Sequence, residues 1–176
     1  PRLPEIVVVQ AIPKLDRATL AVELLTEGGV DVIYPWSAAN CVARWEDVAK
    51  QAKGVARWQQ TARAAAKQSR RSRIPRVEQP VNLADIVTMC DTSDVIVLHE
   101  SAKLVIDDQP APSDRVTVVV GPEGGISPAE LAQLAAAGAR IRRLGPEVMR
   151  TSSAAFAAVA ILSHANGRWH SDGYIT

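Results

Sequence analysis

The run Val116-Thr117-Val118-Val119-Val120 has no charged position and stops at Gly121-Pro122-Glu123-Gly124-Gly125. A strand that does not alternate between apolar and polar residues is buried on both faces, which points to a parallel sheet covered by helices. The same pattern recurs along the chain. Residues 5–11 form a β-branched run ended by Pro13, and 30–36, 94–100 and 140–144 read as further strands. Helical segments stand between them. Asp16 is placed to cap a helix reaching Glu27, with Leu20, Leu24 and Leu25 on one face and Gly28-Gly29 as its stop. Residues 44–69 read as one long helix with Gly54 as its weak point, and 83–90 as a short one. Ser127-Pro128-Ala129-Glu130 has the N-cap, N1 and N3 residues of a capping box, and Gly138 suits the position after the helix end. Thr151 or Ser152 caps a last helix, 154–165, that is apolar nearly all round. Residues 70–82, with Pro75 and Pro80, are extended, and 109–113 is a loop. Strands alternating with helices predict an α/β fold, a mostly parallel sheet flanked by helices.

Charge bears on partners. The total is +1, but ten of the 20 Lys and Arg residues lie between Arg44 and Arg76, opposed only by Glu46 and Asp47. Such a segment is either a solvated helix face or the footprint of an anionic partner. Arg63, Lys67, Arg70 and Arg71 fall at helical spacing, and with Arg73 they are the candidate contacts to such a partner. Cys41 and Cys90 form no CxxC, suggest no metal set, and fit free thiols in a reducing, cytoplasmic setting. The apolar stretch 154–162 is too short to span a bilayer.

Two loops have the composition of a binding site. Ligands of open α/β sheets sit outside the carboxyl ends of the strands. Gly121-Pro122-Glu123-Gly124-Gly125 is one such loop, and Leu144-Gly145-Pro146-Glu147-Val148-Met149-Arg150-Thr151-Ser152-Ser153-Ala154 is the other. The first is neither a Walker loop nor GxGxxG, and its glycines let the backbone approach a flat ligand closely. Taken alone, it reads equally as a tight strand-to-helix turn.

With Leu98-His99-Glu100, these loops resemble the three cofactor loops of the SPOUT superfamily, and more narrowly the family that methylates N3 of a uridine in 16S ribosomal RNA. Gln10-Ala11-Ile12-Pro13-Lys14 and the basic stretch from Trp58 to Pro75 are similar to the family's N-terminal half, so the resemblance spans residues 5–166. It implies a C-terminal trefoil knot, S-adenosyl-L-methionine as methyl donor and a homodimer, with 16S ribosomal RNA or the small ribosomal subunit as partner. Residues 1–176 then read as the catalytic domain, without the N-terminal barrel-like RNA-binding domain usual in the family. Cofactor contacts are expected from Leu98, His99, Glu100, Gly121, Pro122, Glu123, Gly124, Leu144, Gly145, Met149, Arg150 and Thr151. The chain departs from the family at Lys67 and Ser152, where an acid is common, and near 38–40, where a charge is common.

Uracil N3 bears a proton and is a poor nucleophile until that proton leaves. Arg150 is the candidate that stabilises the uracil anion; its bland alternative is an ion pair with Glu147 or Glu123. Glu123 is either the base or a carboxylate facing the sulfonium. A lone His at a strand end, such as His99, is more often structural than catalytic. Trp36, Trp45 and Trp58 can stack on bases, although Trp36 and Trp58 better suit a core. The alternatives are a noncatalytic RNA-binding domain, or a methyltransferase acting on tRNA or on a ribose 2′-OH.

Overall fold

The computed structural model describes residues 4–106 and 113–169. Six strands form one sheet in the order β3-β2-β1-β5-β4-β6, and every pairing is parallel. They are β1 (Glu5–Ala11), β2 (Val32–Trp36), β3 (Arg76–Val77), β4 (Asp94–Leu98), β5 (Arg115–Val120) and β6 (Arg140–Arg142). The helices are α1 (Leu15–Gly28), α2 (Val48–Gln68), α3 (Leu83–Met89), α4 (Pro128–Ala136) and α5 (Thr151–Ala165).

Both faces of the sheet are covered, as the unbroken apolar strands require. Ile6, Val8, Ile33, Val116 and Val118 pack on one side with Leu25 of α1, Trp58 of α2 and Val159 of α5. Val9, Trp36, Val97 and Val119 pack on the other with Ile86 of α3 and Leu134 of α4. Trp36 and Trp58 are core residues at 1% and 2% exposure. Among the described residues no helix is long and apolar enough to cross a membrane.

Several boundaries differ from the sequence reading. The long helix starts at Val48, capped by Asp47, whose carboxylate accepts from Lys50 N–H at 2.7 Å. Trp45 lies outside it, with its ring over Gly54: a Cβ there would stand 2.4 Å from Trp45 Cε2. Gly54 is thus a point of close approach rather than a weak point, and it lets Trp45 meet Trp58 edge to face at 5.4 Å. The segment expected to be merely extended holds the short strand β3, paired with β2. The N-cap of α1 is Lys14 and that of α5 is Arg150, neither with a side-chain cap, so Asp16, Thr151 and Ser152 are not caps but first-turn residues. Of the loop read over 109–113, all but Ser113 lies outside the described residues, as does the Asp16 side chain.

The helix stops are as read. Gly29 and Gly138 take φ of +101° and +94°, which L side chains rarely adopt. Ser127 and Glu130 form the expected capping box.

Candidate active site

Gln10 of β1, Val120 of β5, Leu98 of β4 and Arg142 of β6 are register partners in one row at the carboxyl edge of the sheet. The chain therefore leaves four strands through loops on one side. Strand order also reverses there, since β1 is followed by β2 and β3 on one flank while β5, β4 and β6 lie on the other. This is the switch point at which open α/β sheets bind ligands.

The loops enclose a cavity of about 690 Å³, within the range of small-molecule sites. Leu98, His99 and Glu100 line it from the end of β4, and Gly121, Pro122, Glu123 and Gly124 from the end of β5. Leu144, Gly145, Met149, Arg150 and Thr151 line it from the segment between β6 and α5. Every position read as a cofactor contact is thus in one place. The sequence reading omitted Lys14, Arg17, Arg143 and Ser152, which line the same cavity. Lys14 and Arg17 come from the start of α1, which no local signal links to loops more than eighty residues away.

The Gly-rich loop is held from behind. Gly125 takes φ +73°, and a Cβ on Gly121 would stand 2.6 Å from Ile126 Cγ1. Asn40 Nδ2 donates to the carbonyls of Gly124 and Gly125 at 3.2 and 3.1 Å. Its own loop is tied to α4, because Ala39 N–H donates to Glu130 Oε1 at 2.8 Å. Glu130 Oε2 accepts from the Ser127 N–H at 2.9 Å and hydroxyl at 2.7 Å. Burial pushes the Glu130 carboxyl up, but the Ala39 N–H, the Ser127 hydroxyl and the Ser127 N–H outweigh it and bring it below the usual carboxylate range. The capping box was legible in sequence; its reach to residue 39 was not.

A Cβ on Gly124 would meet Asn40 Cβ and O at 3.1 Å, on the buttress side. Enlarging Gly124 would therefore push two loops apart, not fill the cavity. At Gly145 a Cβ would meet only Glu147 Oε2, at 3.6 Å.

Most charged groups of the cavity are exposed, Arg143 being half-buried. Arg150 is exposed, and it pairs with neither Glu147 nor Glu123. His99 Nδ1 faces the Ser101 N–H at 3.2 Å and the Ser101 hydroxyl at 2.8 Å, so it serves its own turn. Accepting from that N–H puts the ring proton of neutral His99 on Nε2.

The basic stripe needs correction. Helix α2 ends at Gln68 and Arg70 takes φ +56°, so Arg70 and Arg71 do not continue the row of Arg63 and Lys67. Arg71 Nη1 donates to Thr26 O at 2.7 Å and Val30 O at 3.1 Å, binding the end of α2 to the end of α1. Arg63, Lys67, Arg70 and Arg73 are exposed.

Helix α5 also differs from the reading. Ala155, Ala158 and Val159 are fully buried within the chain, while Phe156, Ala157, Ala160 and Ile161 form a half-buried outer face. A charge at Ala158 would disrupt the chain's own core, so it would not report on association.

The RNA methyltransferase domain family matches residues 1–163. The ribosomal RNA small subunit methyltransferase E of Mycobacterium bovis is 45% identical over 175 residues, covering 96% of this chain and 66% of that protein. A solved methyltransferase from Legionella pneumophila, in complex with bound S-adenosylmethionine, is 32% identical with a TM-score of 0.82. It covers 92% of this chain and 66% of its own. A ribosomal RNA small subunit methyltransferase E from Neisseria gonorrhoeae, solved with S-adenosylmethionine, is 28% identical with a TM-score of 0.82, covering 90% of this chain and 65% of its own. The chain thus spans just under two thirds of the length of these relatives. With a match along residues 1–163 and the same fold as these similar proteins, this chain belongs to the RNA methyltransferase domain family.

Proposed function

We propose that this chain is a catalytic domain that transfers the methyl group of S-adenosylmethionine to N3 of a uridine in 16S ribosomal RNA. The observation that carries the reading is the meeting of three strand-end loops around one cavity, whose lining includes Arg150, in no ion pair among the described residues. The named relatives, two of them solved with S-adenosylmethionine, support it. A cytoplasmic site of action goes with a ribosomal substrate.

The residues present fit the cofactor. Leu98, Val120, Ile126 and Leu144 supply apolar wall for an adenine, backbone at Gly121 and Gly145 allows close approach, and Glu100, Glu123 and Glu147 supply carboxylates for a cation. When bound, S-adenosylmethionine supplies an electrophilic methyl group on a sulfonium. Arg150 holds the negative charge that uracil develops at O2 or O4 as its N3 proton leaves. Glu123 makes no ion pair among the described residues; it receives that proton or faces the sulfonium. The loops would hold donor and uridine in one cavity, a positioning effect on the order of several kcal/mol.

Mass spectrometry of nucleosides from 16S ribosomal RNA, after incubation with protein and donor, is expected to show 3-methyluridine. A 2′-O-methyl product, a product confined to tRNA, or none would overturn this reading. Gly145→Val is expected to fold normally and lose at least about tenfold in S-adenosylmethionine affinity, because its side chain takes ligand space; calorimetry showing full affinity would refute the assignment.

Exposed Arg63, Lys67, Arg70 and Arg73 form the RNA surface of this proposal. Replacing Arg63 and Lys67 together by Ala is expected to flatten the salt dependence of RNA binding by about 1 to 2 in log–log slope. An unchanged slope would return them to a solvated helix face. Arg71 is unsuited to this test, since its loss would loosen α1 from α2.

The homodimer and the trefoil knot belong to the same proposal. The half-buried outer face of α5 supports the first. Ala160→Arg is then expected to give monomers in sedimentation, and an unmodified protein that sediments as a monomer at micromolar concentration would exclude the dimer. Support for the knot comes from the β4-to-β5 crossing, which has no helix among the described residues and pairs Val105 with Arg143 beyond the end of β6.

A further inference from the structure

Helices α1 and α5 both begin at the cavity, after Lys14 and Arg150, and neither is closed by an N-cap side chain. The other three are closed by Asp47, Asn82 and Ser127. Helix α5, 15 residues long, also has no acid in its first turn. Its free N–H groups and the positive end of its dipole face the site without a negative group of their own.

A second observation concerns a side chain. Ser152, in that first turn, is 2% exposed and lines the cavity, and its Oγ is buried with no hydrogen-bond partner among the described residues. A buried hydroxyl left without a partner is uncommon and costs stability unless a ligand completes it. Lys14 and Arg17, both exposed and in no ion pair among the described residues, line the same cavity.

We propose that the first turn of α5 is an oxyanion site for the RNA phosphate flanking the target uridine, with Ser152 Oγ donating to it and Lys14 and Arg17 neutralising it. The inference rests on the methyltransferase reading above, and it leaves Arg150 to the uracil. An anion at a helix N-terminus is stabilised by both the N–H groups and the dipole. Two exposed cations on the same cavity suit a polyanion arriving from solvent better than a small carboxylate held inside. Such contacts position the strand without reading its sequence. The serine matters to the site, because an acid at position 152 would repel a phosphate there.

The test uses the full-length protein, a 16S ribosomal RNA transcript titrated across salt, and calorimetry with S-adenosylmethionine. Lys14→Gln and Arg17→Gln are each expected to flatten the log–log salt slope by about 0.7 to 0.9, the share of one phosphate contact. Ser152→Ala is expected to weaken RNA binding about tenfold, the scale of one hydrogen bond to a charged group. Its melting temperature should hold or rise, because Oγ bonds nothing among the described residues. S-adenosylmethionine affinity should hold in all three variants. Unchanged RNA affinity and slope in the variants, with the unmodified protein still methylating RNA, would overturn the proposal and spare the methyltransferase reading. Loss of S-adenosylmethionine affinity with intact RNA binding would assign the oxyanion to the cofactor's carboxylate and overturn it too. If the unmodified protein neither binds RNA nor transfers methyl, the methyltransferase reading itself falls, and this inference with it.

Discussion

Arg150→Ala is expected to lower methyl transfer by about 10²-fold or more while S-adenosylmethionine still binds, the scale of losing one group that stabilises charge in a transition state. The prediction follows from an open guanidinium. Arg150 is exposed, lines the cavity, and pairs with neither neighbouring glutamate. A guanidinium tied into an ion pair would have its charge already compensated in the ground state; a free one meets charge only as uracil loses its proton. Among the described residues Arg150 serves the fold through its backbone, its carbonyl accepting from the Ser153 and Ala154 N–H groups at 2.9 Å. Alanine keeps that carbonyl, so α5 should begin where it does now. Single-turnover rates at saturating donor are the measurement. Equal rates for variant and unmodified protein would make Arg150 structural and remove the anion-stabilising step.

Glu130→Ala is expected to destabilise the protein by about 2–3 kcal/mol, or about 5–10 °C in melting temperature for a chain of this length. Three donors lose their acceptor at once: the Ala39 N–H, the Ser127 N–H and the Ser127 hydroxyl. The Gly-rich loop should loosen as well, because Asn40 reaches it from the tether that Glu130 holds. The pH dependence has a definite sign. The folded-state carboxyl lies below its ordinary value, because hydrogen bonds to the carboxylate outweigh burial. Its contribution is therefore full above the unfolded-state pKa of about 4.3 and is lost as pH falls through the folded-state value. The stability gap between unmodified protein and variant should be widest near neutrality and should narrow on acidification. A gap that widens in acid would contradict the hydrogen-bond account of Glu130.

Local chemistry determined much of this protein. Apolar runs such as 116–120 can be buried on two faces only in a helix-covered parallel sheet, so the α/β class was legible in composition and period. Ser127 with Glu130, and the glycines at 29 and 138, marked helix ends because caps and left-handed backbone depend on neighbours a few residues apart. The candidate loops were visible for the same reason: each is a contiguous stretch directly after a strand.

Tertiary structure decided what depends on distance. Whether a basic residue is free or spent depends on what it meets, and Arg71 meets carbonyls of residues 26 and 30 across the fold. Which side of α5 faces inward is set by its packing on α1 and the sheet, since its middle, residues 154–162, is wholly apolar and has no periodicity to declare a face. Lys14 and Arg17 join the site only because β1 lies beside β5, which carries the start of α1 to the end of the Gly-rich strand. Helix dipoles, unpartnered hydroxyls and paired guanidinia depend on geometry over several ångströms in space, and only strand order and register bring those groups together.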